Sequence, residues 1–487
     1  MNKLIVFLLL VAFCGQASAA PPPLPSGLSN KKQQAEKPQK PKQPALPTGL
    51  GKLGTPPGPV LPPGLGTKTA DKKQSASDDQ GWQDRLGITL SGFAEARIGV
   101  RTQSDLNEKA ASIGETRLQL SAEKEWSLAT ATLTADFLYD PVLDQHAINF
   151  ESGNGWLDLR EAHLLFRPTG FSDLKVGRQV LTWGTGDLLF INDLFPKDFN
   201  SFFIGRDEEY LKAPSDAARL SLFSKAANLD IAYTPRFDSD RYIDGSRISF
   251  FSPLAGERVG RRAAPFSADQ PDRWFKDDEL ALRLHRTIGG LEAALYFYDG
   301  FWKSPGGLSA ETGEALFPRL RVYGGSARKP LWGGIANAEV GFYQSLDDKN
   351  GSDAFINNSE FRLLVGFEKD IGHELTGSFQ YYIERISGYD AYLASLPQGS
   401  RPRDHTRHLL TGRLTKFLMN QNLMLSLFAY YSPSDKDGYL RPKISYKLSD
   451  NWAANIGANL FFGADQASFF GQFTKNNNIF AGIRRSF

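Results

Sequence analysis

The chain has 487 residues, of which 41% are hydrophobic, and its 56 Lys and Arg residues nearly balance its 54 Asp and Glu residues. The resulting net charge of +2 excludes a strongly basic nucleic-acid-binding protein on global electrostatics. The single cysteine, Cys14, excludes a disulfide framework.

The first 19 residues have the parts of a secretory signal peptide. Lys3 supplies the positive charge, residues 4–13 form an apolar run, and residues 17–19 are the small residues that a signal peptidase recognises. The apolar run is shorter than the roughly 20 residues of a transmembrane helix. The sequence therefore predicts cleavage after Ala19, and bulky Phe13 argues against lipidation of Cys14.

Residues 20–80 have a different composition, with 13 prolines among 61 residues and no aromatic residue. Such a segment buries too little apolar surface to offset its ordering entropy, so we predict a disordered periplasmic arm. A Leu-Pro-x-Gly-Leu motif starts at Leu24, Leu46 and Leu61. The arm is either a solvated spacer or a docking segment for a periplasmic protein or a cell-wall polymer.

From about residue 81 to Phe487 the chain alternates apolar and polar residues with a period of two. Residues 129–137 and 279–286 show this pattern clearly, which in a strand places the two residue types on opposite faces. A soluble β-sandwich also alternates. The persistent apolar face, the alternation of short and long connections, and the signal peptide favour an all-β transmembrane antiparallel barrel in the bacterial outer membrane.

We count about eighteen strands, with sixteen as an alternative, and an even number places both termini in the periplasm. Arg160, Glu161 and Arg178 interrupt the apolar sides of the fourth and fifth strands. The predicted strands span residues 87–101, 113–124, 128–139, 156–167, 173–183, 216–224, 228–236, 278–287, 290–300, 316–327, 332–344, 359–369, 373–385, 404–417, 421–431, 438–448, 451–463 and 477–487.

If the apolar sets face lipid, the charged sets line the lumen. Basic residues gather on the C-terminal half of this wall, which lowers the barrier for anionic solutes. The alternative is that these charges pair with one another and only keep the interior wet. The predicted pore-lining residues are Arg319, Arg321, Arg407, Arg413, Arg441, Lys443, Lys447, Arg484, Glu95, Glu339 and Glu360.

The third long loop, about residues 184–214, is too apolar for a solvated loop, so we predict that it folds inward as a constriction. Packing on the barrel rim or against another subunit are the alternatives. The fourth, about residues 237–276, is the predicted lid and carries Arg258, Arg261, Arg262 and Arg273. The predicted constriction residues are Phe190, Phe195, Phe199, Phe202 and Phe203.

Two sequence patterns lie on the fourth and fifth strands and around the third loop. They comprise Arg160, Glu161, Ala162, His163 and Leu164, then Val176, Gly177, Arg178 and Gln179, and around the third loop Trp183, Gly184, Asn192, Pro196, Asp198, Arg206, Leu211 and Lys212. These patterns resemble alginate-export-type and related uncharacterised proteobacterial porin families. The resemblance implies an 18-stranded barrel with an arginine-lined lumen, whereas the proline-rich arm and the apolar third loop depart from the polysaccharide exporters.

The C-terminal residues 479–487 are similar to the signal that the barrel-assembly machinery reads, with Phe487 as the terminal aromatic residue. The sequence therefore predicts a porin for small polar, possibly anionic solutes. The alternative is the barrel part of a trans-envelope export assembly docked through the arm. Asp404 and His405 are the only tempting acid–base neighbours, so we expect no enzyme activity, cofactor or metal site. The expected partners are membrane lipids and the assembly machinery, and the oligomeric state stays open.

Overall fold

The computed structural model describes residues 86–144, 146–252, 256–262 and 267–487. The predicted signal peptide and the predicted arm lie outside these residues. The alternating segments form long strands, and shorter strands occur within the long connections. The strands are β1 Ile88–Arg101, β2 Ala111–Glu125, β3 Ala129–Tyr139, β4 Leu157–Thr169, β5 Ser172–Val180, β6 Pro214–Leu222, β7 Asn228–Thr234, β8 Phe250–Ser252, β9 Glu257–Val259, β10 Ala268–Asp269, β11 Glu279–Ile288, β12 Leu291–Phe301, β13 Gly307–Leu308, β14 Ala315–Leu316, β15 Arg319–Leu331, β16 Gly334–Ser345, β17 Glu360–Gly372, β18 Leu375–Ile386, β19 Thr406–Leu418, β20 Leu423–Ser432, β21 Asp437–Lys447, β22 Trp452–Gly463 and β23 Asn478–Ser486.

Eighteen of these strands form one closed antiparallel barrel. Each long strand pairs with the next long strand along the chain, and β1 pairs with β23 to close the ring. The closing register joins Phe93 to Ser486 and Arg101 to Asn478. Closure satisfies the backbone groups that an open sheet would leave at its edges. All eighteen predicted strands are confirmed, with bounds that differ by a few residues.

The outer face of the barrel is apolar over its middle. Leu133 is 50% exposed, Leu295 64% and Ile98 70%, and similar side chains follow around the ring. An exposed apolar surface of this extent is unfavourable in water and is the surface of a barrel that crosses a bilayer. Trp126 and Trp332, both exposed, lie at turns between strands, where the aromatic girdle of such a barrel is expected.

The connections at the two ends of the barrel differ in length. At one end, which we call the turn side, the hairpins are tight: Gly289 and Gly290 join β11 to β12 with φ values of +56° and +78°. Two positive φ values suit a two-residue type I′ turn. The other end, the loop side, carries long connections. These connections hold helices α1 Phe199–Ile204 and α2 Tyr389–Ser395, and 3₁₀ turns at Glu208–Leu211 and Gly471–Asn476.

A β-bulge explains why the fourth strand alternates poorly. Thr134 of β3 faces Glu161, whereas the next residue, Ala135, faces Leu159, so Arg160 is the extra residue of β4. An added residue reverses which positions face inward beyond it. Asp158 and Arg160, at even positions, and His163, at an odd position, therefore all point inward. Among the described residues, no helix has the length and apolar character to cross a membrane.

Candidate functional site

The connection between β5 and β6, residues 181–213, turns into the barrel, and we call it the inner loop. Its apolar side chains gain more from contact with the wall than from exposure to water. Phe202, Phe203 and Ile204, which lie on α1, are only 3%, 6% and 2% exposed. The side chain of Asp198 caps this helix by accepting a hydrogen bond from the Ser201 amide at 2.7 Å.

Helix α1 stops where the loop backbone lies close to the wall. Gly205 follows it with φ of +97°, which favours glycine, and a Cβ at this position would lie 2.3 Å from the Phe480 ring of β23. Arg97 of β1 donates a hydrogen bond to the Gly205 carbonyl at 2.7 Å. The absence of a side chain at Gly205 therefore brings the loop backbone against the seam of the barrel.

Aromatic rings of the wall receive the inner loop. The Phe203 ring centroid lies 5.0 Å from that of Phe461 and 5.4 Å from that of Tyr439, in edge-to-face arrangements. Arg441 of β21 lies over the Phe202 ring at 4.2 Å. Of the five predicted constriction phenylalanines, Phe195 is buried like these two, whereas Phe190 and Phe199 are half-buried against the same cluster.

Glu339 of β16 anchors the first part of the inner loop. Its carboxylate accepts hydrogen bonds from the Gly186 amide at 2.8 Å and the Asn192 side-chain amide at 3.0 Å, and also from the Thr185 amide. Because Glu339 is only 2% exposed, these donors replace the water that its charge has lost. Glu339 therefore positions the loop backbone inside the barrel.

Four predicted cations of the C-terminal wall bind the inner loop. Arg413 pairs with Asp187 at 2.7 Å and with Glu208 at 3.2 Å. Lys443 and Arg484 both pair with Asp207, at 2.5 and 2.9 Å, and Arg441 donates to the Arg206 carbonyl at 2.6 Å. These side chains face the interior, but their charge is largely matched by acids of the loop.

The remaining predicted pore-lining residues lie in three places: the interior, the turn side and the outer face of the barrel. Glu95 pairs with Arg484, and Glu360 and Arg407 also point inward, Glu360 to Arg362 at 2.7 Å and Arg407 to Asp435 at 2.6 Å. Lys447 lies at the turn side and pairs with Asp450 at 3.0 Å.

Arg319 and Arg321 correct the prediction, because they do not line the interior. Leu320 and Val322, each 1% exposed, take the inward positions of β15, so the two arginines project from the outer face at the loop side. There Arg321 pairs with Asp299, its register partner on β12, at 2.5 Å. The sequence pattern misassigned the parity of this strand because its inward face is apolar at this end.

Two arginines of the fourth long connection, residues 235–278, form buried ion pairs that the sequence pattern did not predict, and Arg241 joins this connection to the inner loop. Arg241 pairs with Asp158 of β4 at 2.8 Å and with Asp198 at 3.3 Å, and all three are buried. Arg247 pairs with Asp140. The arginines predicted for the lid pair elsewhere, Arg261 with Asp144 and Arg273 with Asp277 at 2.6 and 2.9 Å, and Arg258 donates to the Gln472 carbonyl at 2.7 Å.

Burial acts differently on two carboxylates of the inner loop. Burial tends to raise the pKa of Asp207, but Lys443, Arg97 and Arg484 outweigh it and hold that pKa well below its ordinary value. Burial raises the pKa of Asp187 above its ordinary value although Arg413 opposes this shift. Asp207 is therefore a fixed negative charge of the loop, whereas Asp187 is more easily protonated.

The inner loop borders several cavities, among them two large ones. One, of about 620 Å³, lies towards the turn side; the other, of about 400 Å³, lies towards the loop side. We call them the turn-side and loop-side cavities. Leu188, Phe190, Asp193 and Leu211 line both of them. These four residues therefore form a partition between the two cavities.

The cavities have opposite charge balances. The turn-side cavity is lined by five acids, Asp187, Asp193, Glu208, Glu209 and Glu368, and by two bases, Lys212 and Arg328. The loop-side cavity is lined by four bases, Lys197, Lys303, Arg362 and Arg407, and by three acids, Asp193, Asp240 and Glu384.

No protein-family model matches the sequence, and no curated protein matches it. The resemblance to alginate-export-type porins therefore stays a prediction. Acinetobacter baumannii OccAB1 is similar in structure at 10% identity and a TM-score of 0.49, over 82% of this chain and 96% of that chain. OccAB3 of the same organism aligns at 11% identity and a TM-score of 0.46, over 82% and 99%. Salmonella typhi OmpF in complex with daunomycin aligns at 10% and 0.40, over 82% and 97%.

Proposed function

We propose that this protein is an outer-membrane channel through which small polar solutes diffuse. The observation that carries the proposal is the closed eighteen-stranded barrel whose inner loop leaves a solvent cavity on each side of a thin partition. The apolar outer face supports a membrane location. A barrel of this strand number is wide enough for an aqueous lumen, and a loop fixed inside it sets the size limit.

The partition supports a narrow channel with some gating. Leu188 and Phe190 are apolar and half-buried, whereas Asp193 and its neighbour Lys197 form a buried pair at 3.1 Å. An apolar constriction disfavours hydrated ions until it widens, and a paired charge adds little field. We therefore infer that solutes cross where the loop moves against the wall, near the Tyr430 hydroxyl that donates to the Leu188 carbonyl.

The predicted anion preference receives support from the loop-side cavity alone. Its bases outnumber its acids by one, whereas the acids of the turn-side cavity outnumber its bases by three. Since opposite fields act in series along one path, we propose weak charge selectivity, with anions among the permeant solutes.

Planar bilayers containing the purified full chain test the proposal. We expect discrete current steps, a reversal potential near zero in a KCl gradient, and swelling of proteoliposomes in small sugars but not in large oligosaccharides. Bilayers treated with heat-unfolded protein are the control. Absence of both current and swelling would contradict the channel, whereas strong selectivity for one sign would contradict only the charge argument.

A further inference from the structure

A short segment of the fourth long connection packs directly on the inner loop. Asp198 of the inner loop and Arg241 of the connection pair in a parallel β-bridge. The Arg241 amide donates a hydrogen bond to the Lys197 carbonyl at 2.8 Å, and the Lys197 amide donates to the Asp240 carboxylate at 2.7 Å. The connection and the inner loop therefore form one hydrogen-bonded unit at this point.

The Arg241 guanidinium contacts three other parts of the chain. Its Nη1 lies 2.9 Å from the Asp158 carboxylate of β4 and 3.3 Å from the Asp198 carboxylate of the inner loop. Its Nε donates to the Glu151 carbonyl, in the connection between β3 and β4, at 3.1 Å. A guanidinium presents five donors in a rigid fork, so one side chain serves several acceptors at once. Arg241 therefore ties the wall, the inner loop and this connection together.

The two carboxylates that Arg241 contacts differ in what else holds them. Asp158 also lies 3.8 Å from Arg160, a second cation of β4. Asp198 accepts hydrogen bonds from the Ser201 amide and hydroxyl, both at 2.7 Å, but among the described residues only Arg241 forms an ion pair with it. Asp198 is 2% exposed. Because a buried charge that loses its partner is strongly unfavourable, the position of Asp198 depends on Arg241.

The same junction is connected to the partition between the two large cavities. Asp193, which lines both cavities, pairs with Lys197 at 3.1 Å, and Lys197 is the chain neighbour of Asp198. Asp198 in turn caps helix α1. A displacement of Asp198 therefore moves the partition on one side and the helix on the other.

We propose that Arg241 is a positioning residue for the constriction. Through Asp198 it holds the inner loop beside β4, so that the fourth connection controls how far the loop moves in the path of solutes. This inference rests on the proposed channel function and concerns the regulation of its partition. Residue 241 lies outside the strands of the barrel, so its loss frees the inner loop and leaves the ring of strands closed.

A pair of substitutions tests this role. Arg241→Gln removes the cation, and Asp198→Asn removes the charge that needs it. Asn caps a helix as well as Asp does, so Asp198→Asn separates the ion pair from the cap of α1. We expect Arg241→Gln to raise the open-channel noise in planar bilayers and to admit larger oligosaccharides in proteoliposome swelling. Asp198→Asn should behave like the original protein. The double variant should regain most of the original behaviour, because it leaves no buried charge without a partner.

Arg247→Gln is the matched control. Arg247 belongs to the same connection and is as buried as Arg241, both being 5% exposed. It pairs with Asp140 and donates to the Ser112 carbonyl at 3.1 Å, and among the described residues it forms no hydrogen bond or ion pair with the inner loop. We expect neither noise nor size limit to change. Heat-dependent migration on SDS gels selects folded protein. If Arg241→Gln does not fold, Arg241→Lys keeps the charge without the fork and should show a smaller increase.

Hydrogen exchange of residues 197–205 follows the inner loop without requiring conduction. Exchange should be faster in Arg241→Gln than in the original protein or in Arg247→Gln. Equal noise, size limit and exchange in Arg241→Gln and Arg247→Gln would overturn the inference, as would a double variant noisier than Arg241→Gln. Faster exchange in Arg241→Gln without any current in the original protein would sink the channel and leave the positioning role. Current with unchanged exchange would do the reverse.

Discussion

Arg413 of β19 holds Asp187 of the inner loop through two contacts, Nε to Oδ2 at 2.7 Å and Nη2 to Oδ1 at 3.1 Å. The same guanidinium lies 3.2 Å from Glu208, in the later part of the loop. A planar guanidinium can bind two carboxylates at once, which a lysine cannot do with the same geometry. Arg413 is thus the wall residue that joins the two ends of the inner loop.

Arg413→Gln should loosen the inner loop and change ion selectivity. The substitution removes charge-assisted hydrogen bonds, a loss of about 2 kcal/mol, and leaves Asp187 and Glu208 without their cation. We expect noisier single-channel currents and a reversal potential shifted towards cation selectivity in a KCl gradient. Lys447→Gln removes a wall cation that does not touch the loop and should leave both unchanged. Identical selectivity in the two variants would contradict the role of Arg413.

Gly205→Ala should push the inner loop away from the seam of the barrel. The added methyl group would overlap the Phe480 ring and would also place alanine at φ of +97°. We expect a larger single-channel conductance, measured in planar bilayers. Gly399→Ala is the control, because Gly399 has φ of +84° but open space around its Cβ position. If both variants conduct like the original protein, close contact at Gly205 does not set the pore width.

Deleting Phe487 should impair barrel assembly. Its amide and carbonyl exchange hydrogen bonds with Gly92 at 3.0 and 3.1 Å, so it extends the ladder that closes β23 on β1. We expect a much smaller folded fraction, read from heat-dependent migration on SDS gels and from membrane fractionation. Phe487→Tyr keeps the ring and the backbone pair and should assemble normally. Normal assembly of the deletion variant would remove the terminal residue from the predicted assembly signal.

The loop between β1 and β2 should open as the pH rises. Burial raises the pKa of Glu108 from 4.5 to about 7, against the opposing charge of Arg101. The packed loop therefore binds the proton more tightly than the open loop. Its stabilisation is full below about pH 4.5 and is lost as the pH rises through about 7.

Hydrogen exchange of residues 102–110, corrected for the intrinsic pH dependence, measures this effect. We expect protection to fall between about pH 5 and pH 8. Glu108→Gln carries no titrating group at this position and should show a flat profile. A fall of the same size in the Gln variant would assign the pH dependence to another group.

Deleting residues 20–80 should leave the conductance of the purified barrel unchanged. The ring of strands begins at Ile88 and closes without any residue of the predicted arm. Single-channel conductance before and after the deletion checks this. A pull-down from envelope extracts, done with and without residues 20–80, separates the docking role from the spacer role. A changed conductance would mean that the arm reaches the pore.

Much of the barrel could be predicted from the chain because two solvents impose a period of two. Leu280, Leu282 and Leu284 are apolar because their side of β11 meets lipid, whatever the neighbouring strands are. The bulge at Arg160 could not be read, since it depends on the register against Thr134 and Ala135. The outward position of Arg321 could not be predicted from the sequence either, because Val322 and Leu320 face the apolar inner loop rather than water.

Part of the candidate site could be predicted from the same alternation of residues. Phe461 shares the lumen-facing side of β22 with Asn459 and Gly457, and Tyr439 shares that of β21 with Arg441. A large aromatic residue on a polar face indicates that something packs against it, and here it is Phe203. The loop acids that pair with the wall cations, such as Asp187 and Asp207, could not be predicted, because charged residues in a loop are usually solvent-exposed.

The chain alone was enough to predict a barrel of about eighteen strands and an inward-folding apolar loop, because alternation and apolar composition are local properties. The pairing of the interior charges depends on contacts that form in the folded barrel. Arg413 and Asp187 are 226 residues apart, and no local pattern relates them. Their pairing follows from where the inner loop meets the far wall of the barrel.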